Sequence, residues 1–141
     1  MKTFMSRAAL AGLLMGVSVL ASAATMAPEG AVVSIVSPAD GATVPQTVVV
    51  KFAVENIALA PAGDTTKNTG HHHLLIDVDK LPAAGAPIPN DANHVHFGKA
   101  QTQAEITLTP GKHTLQLELG DSGHMPFGPP IVSKKITVNV K

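Results

Sequence analysis

Residues 113–119, HTLQLEL, alternate without a break: His113, Leu115, Leu117 and Leu119 fall on one face, and Thr114, Gln116 and Glu118 on the other. A period of two marks a half-buried β-strand. Other runs read the same way. Residues 31–36 (AVVSIV) are a short β-branched strand that stops at the turn cluster SPADG. Residues 47–55 (TVVVKFAVE) start fully apolar and then alternate, and residues 104–109 (AEITLT) end at a Pro-Gly turn. Residues 71–79 (HHHLLIDVD) and 133–140 (SKKITVNV) complete six strands, with a short seventh at 94–97. No segment sustains a helical period. Loops rich in Gly, Pro, Asp and Asn occupy 57–70, 81–93 and 120–130. This spacing predicts an all-β chain, an immunoglobulin-like β-sandwich of six to seven antiparallel strands in two sheets. The cysteines and tryptophan that mark antibody domains are missing, so the prediction rests on strand count.

The first residues do not fit that pattern. Lys2 and Arg7 precede an apolar run from Ala8 to Leu20, which ends at Ala21-Ser22-Ala23. That is the layout of a cleaved export signal. The run is short of the ~20 apolar residues of a membrane span. The chain is therefore expected to lose residues 1–23 and to continue as one β-sandwich domain over 24–141, without a membrane span. With no cysteine, neither a lipoprotein anchor nor a disulfide framework is available.

Composition narrows the function classes. Beyond the leader there are eight lysines, no arginine and ten carboxylates. The basic patch that nucleic-acid binding requires is not there. Phe52, Phe97 and Phe127 are the only aromatics beyond the leader, too few for a site built on stacking against sugars or bases. Against this poverty, all seven histidines lie between positions 71 and 124.

Strand periodicity sorts them. In residues 70–79, His72, Leu74, Ile76 and Val78 share the better core face, and His71, His73, Leu75 and Asp77 point the other way. His71 and His73 then stand parallel at i and i+2, able to chelate one ion. His94 and His96 repeat that spacing after a long loop. His113 opens a strand on its apolar side, near the rim of the core. His124 lies in a Gly/Pro-rich loop beside Met125, whose thioether would tilt a site toward copper. Imidazoles suit copper, zinc, nickel and iron, and the lack of cysteine rules out thiolate sites. The candidate ligands are His71, His73, His94, His96, His113 and His124, while His72 and His113 have the phase of structural residues. The competing reading is a polar strand entrance with ordinary surface histidines; concentration in one stretch is what favours a shared site. No paired carboxylates, phosphate loop or catalytic triad stands out, and a binding protein is favoured over an enzyme.

The stretches GHHHLLID (70–77) and HVHFGKAQTQAEITLTPGKHTLQLELGD (94–121), with His124, resemble the exported bacterial family called domain of unknown function 4399. The resemblance covers roughly residues 33–140. It departs at Ala100, where glycine is expected, and at Gln103, where glutamate is expected. It implies a periplasmic β-sandwich and supplies no function. His71 to His73, His96, Gln101, His113, Asp121 and His124 fall on its motif positions. The combined expectation is a periplasmic transition-metal-binding protein, copper first and zinc second, for buffering, delivery or resistance, with another periplasmic protein as a possible partner. The alternative is a non-metal module of the cell envelope with a histidine-lined pocket.

Overall fold

The computed structural model describes residue 16 and residues 23–141. The leader read at 1–23 lies outside them, apart from Gly16 and Ala23. Among the described residues no helix is long and apolar enough to cross a membrane.

The strands are β1 (Val32–Ser37), β2 (Thr43–Val44), β3 (Thr47–Glu55), β4 (Ala58–Leu59), β5 (Thr69–Ile76), β6 (His94–Phe97), β7 (Gln103–Thr107), β8 (Gly111–Gly120) and β9 (Ile136–Val140). They form two sheets, which together make an immunoglobulin-like β-sandwich. The smaller sheet has the order β1-β3-β7, all antiparallel. The larger runs β2-β9-β8-β5-β4, with β6 sharing the outer edge of β5 beside β4. β2 and β4, two residues each, are additions to the strands read from the sequence, and both pair parallel. They are too short to show a period, so turn composition hid them.

The main core lies where the apolar phases of the two sheets meet. Val48, Val50 and Phe52 of β3 face Leu74 and Ile76 of β5 and Leu115, Leu117 and Leu119 of β8. β8 starts at Gly111, whose φ of 122° is closed to side-chain-bearing residues and lets the chain reverse after Pro110. His113 follows at the rim. Its Nδ1–H donates to Asp77 Oδ2 at 2.7 Å, and its Nε2–H to the Thr109 carbonyl at 2.8 Å. Two acceptors favour the doubly protonated ring, so the Asp77 bond raises the His113 pKa despite partial burial.

β5 breaks the alternation rule for a reason. Every residue from Gly70 to Ile76 is buried, because both faces of the strand are covered. One face meets the core. The other carries His71, His73 and Leu75 beneath the 81–93 and 121–130 loops, stitched together where Ile88 N–H donates to the His124 carbonyl at 2.8 Å. A strand buried on both faces reads as a run without alternation, which is how HHHLLI reads.

Candidate metal centre

Four histidines meet on the outer face of the larger sheet. β5 supplies His71 and His73, two residues apart and therefore parallel. β6 supplies His96, whose register partner is His73. The 121–125 turn supplies His124. Their ring centroids are 4.7–5.9 Å apart. One nitrogen from each of the four lies within 4.8 Å of the others. Around an ion bonded at ~2.0–2.1 Å, opposed nitrogens stand at most ~4.2 Å apart. A pair at the 4.8 Å bound must close by ~0.6 Å to oppose each other across one ion and by ~1.4 Å to share a tetrahedral shell.

Local structure fixes each donor. Asp121 builds the turn that presents His124: its Oδ1 accepts from Gly123 N–H at 2.9 Å and Met125 N–H at 3.0 Å, and its Oδ2 from Thr25 Oγ1 at 2.6 Å. His124 sits at the apex with φ of 63°, a left-handed conformation in which histidine is enriched among non-glycine residues. Two glycines make room for rings. A Cβ at Gly98 would lie 2.4 Å from His96 Cε1, and one at Gly120 would lie 2.6 Å from His73 Cε1. Neither backbone position has positive φ. It is the imidazoles, not the turns, that exclude a side chain there.

The electrostatics favour the neutral ring at His71, His73 and His96. Burial pushes the His71 pKa down to about 4, helped by His96 and His124. Burial, with His71, His96 and His124 alongside, pushes His73 to about 3. His96 is lowered for the same two kinds of reason, burial first and His124 second. A neutral imidazole has one lone pair and one N–H. His71 Nε2 and His124 Nδ1, 3.0 Å apart, use one of each. His96 Nε2 and His73 Nδ1 are buried without partners.

Two of the six ligands expected from the sequence lie elsewhere. His94 is on the same strand face as His96, but register places it opposite Leu75, and its Nδ1 pairs with Asp91 Oδ1 at 2.8 Å. His113 is held by Asp77 and Thr109 at the sandwich rim, the structural role its phase suggested. His72 faces the core, its ring 4.8 Å from that of Phe52, with both nitrogens unpartnered and its pKa lowered to about 4 by burial. Gln101 turns back to accept from Lys99 N–H at 2.8 Å, and Met125 contributes its backbone to the Asp121 turn.

The sequence reading missed Glu118. It sits across from His73 on the same face, fully buried, with neither carboxylate oxygen partnered. Burial raises its pKa to about 7. Alternation in HTLQLEL puts it on the face away from the leucines. The non-alternating run across the sheet, HHHLLI, was the available signal that this face is roofed. The roof also encloses a half-open cavity of about 350 Å³ lined by His73, His96, His124, Pro87, Ile88 and Asn90.

The sequence pattern of a family described as domain of unknown function (DUF4399) matches residues 50–141, a span that includes all four clustered histidines. No curated protein matches the chain. Among solved structures, the fibronectin(III)-like modules of Clostridium thermocellum CbhA are similar at 12% identity and a TM-score of 0.35, covering 77% of this chain and 92% of that one.

Proposed function

The chain belongs to the DUF4399 family, and we propose that it binds one transition-metal ion, copper first and zinc second, through His71, His73, His96 and His124. The observation that carries this reading is the convergence of four imidazole nitrogens within 4.8 Å from two strands and a loop. Proton depletion supports it, since a metal competes with protons for the same lone pairs. A set of imidazoles without thiolate suits Cu(II) above Zn(II) in the usual order of divalent affinities, and tetrahedral Zn(II) takes the same donors. The export signal read at residues 1–23 supports a periplasmic setting for this role, in metal buffering, delivery or resistance. A second reading, a metal-free pocket of the cell envelope, is favoured by the 3.0 Å bond between His71 and His124, which satisfies two rings without an ion.

Elemental analysis separates the two. Protein produced without a tag, exposed to copper or zinc and freed of excess ion, should retain one equivalent, and the copper form should give the spectrum of a mononuclear all-imidazole centre. Retention of no stoichiometric metal would leave the pocket reading standing.

A further inference from the structure

We propose that the metal centre keeps one coordination position open toward the cavity under the 81–93 loop and takes there a small monodentate donor, neutral or monoanionic, from solution. This rests on the metal reading above and adds an exogenous ligand to it. Three of the four imidazoles, His73 on the sheet, His96 at its edge and His124 on the adjoining turn, line the cavity, and the rest of its lining is Pro87, Ile88 and Asn90. Two of those three residues have no side-chain donor atom, so the loop side closes the site without completing a coordination shell. The space is about 350 Å³. A single water occupies ~30 Å³ of liquid, and cavities that hold small ligands begin near ~300 Å³.

The lining also selects the class of ligand. It contains imidazoles, two apolar side chains and one carboxamide, with no lysine or arginine. A polyanion would have to shed water against Pro87 and Ile88 with no cation besides the metal to offset its charge. A compact molecule with one donor atom matches the wall better: the donor on the metal, its flank on Ile88, and any second polar atom at the Asn90 amide.

The probes are azide, a compact monoanion, and free imidazole, a neutral donor, added to tag-free protein loaded with one equivalent of Cu(II). Azide should produce a saturable azide-to-copper charge-transfer band, and imidazole should displace it, with the copper content unchanged. Asn90→Trp and Ile88→Phe, which add bulk to the cavity at positions that supply no ligand nitrogen, should each weaken azide tenfold or more while copper stoichiometry stays at one. If the protein holds copper and azide leaves its spectrum unmoved, this inference is overturned and the metal reading survives. It is also overturned if azide strips the copper, or if both filled variants bind azide as the parent does. Failure to hold copper at all would overturn both.

Discussion

Substituting Gly98 or Gly120 by alanine separates the metal centre from the fold that carries it. At Gly98 the new Cβ would stand 2.4 Å from His96 Cε1 and 2.8 Å from Nε2. Carbon contacts settle near ~3.5–4.0 Å, so the ring must retreat by about 1 Å or more, half the length of a metal–nitrogen bond. His96 is only half-buried at the sheet edge and can swing outward. The alanine itself recovers some of the ~0.5–1 kcal/mol that glycine forfeits in ordered backbone. The new Cβ would also meet Ala62 Cβ at 3.1 Å, so Gly98→Ala should cost at most about 1 kcal/mol of stability and weaken copper binding at least tenfold, about 1.4 kcal/mol. At Gly120 the Cβ would lie 2.6 Å from His73 Cε1 and 3.4 Å from the His124 backbone. His73 is 1% exposed and has nowhere to go. Overpacking of that kind costs about 1–3 kcal/mol, so Gly120→Ala should lose stability and affinity together. Gly123→Ala is the control, because its Cβ would meet nothing closer than 3.6 Å. The assays are urea denaturation in the presence of chelator and calorimetric copper titration. A Gly98→Ala protein that binds copper like the parent while His96→Ala does not would refute the steric argument.

Three further outcomes follow from the buried titratable groups. His71, His72 and His73, lowered to about 4, 4 and 3 from 6.5, contribute stability that is complete above pH 6.5 and lost as pH falls toward 4. Glu118, raised from 4.5 to about 7, works in the opposite sense, and its contribution is lost as pH rises from 4.5 to about 7. Three groups outweigh one, so metal-free protein should gain stability by denaturant midpoint as pH rises from 4 through 6.5 and level off above about 7; a midpoint that falls between pH 5 and 6.5 would contradict this. Glu118→Gln removes a buried carboxylate that has no partner and should stabilise the metal-free protein at pH 8 by on the order of 1–3 kcal/mol, with the gain shrinking toward pH 5; a thermal melt at each pH reads it. His113→Ala should cost about 1 kcal/mol below pH 6.5 and less as pH rises through the elevated folded pKa of His113, because the imidazolium form holds Asp77; chemical denaturation across that range measures it, and copper affinity should not move.

What was legible in the sequence was local. The phase of residues 70–79 alone puts His71 and His73 on one side and His72 on the other, and the phase of 113–119 puts Leu115, Leu117 and Leu119 in the core. The choice between His94 and His96 was not legible. The two share a face, and only the β5–β6 register, a long-range pairing, sets His96 against His73 and His94 against Leu75. Glu118 was missed because period two reports which residues share a face, not whether a loop covers it. The roof over that face comes from the 81–93 and 121–130 loops, whose Gly, Pro and Asn composition marks turns without saying where they pack. Gly98 and Gly120 carry no signal of their own, since neither has the positive φ that makes a glycine conspicuous.

Calorimetric titration of copper into the tag-free chain, repeated with six single histidine-to-alanine variants, tests the central claim most directly. The parent should bind one equivalent. His71→Ala, His73→Ala, His96→Ala and His124→Ala should each lose tenfold or more in affinity, while His94→Ala and His113→Ala, engaged with Asp91 and Asp77, match the parent. Equal copper uptake by the first four variants and the parent, or a loss confined to His94 and His113, would contradict the four-histidine centre.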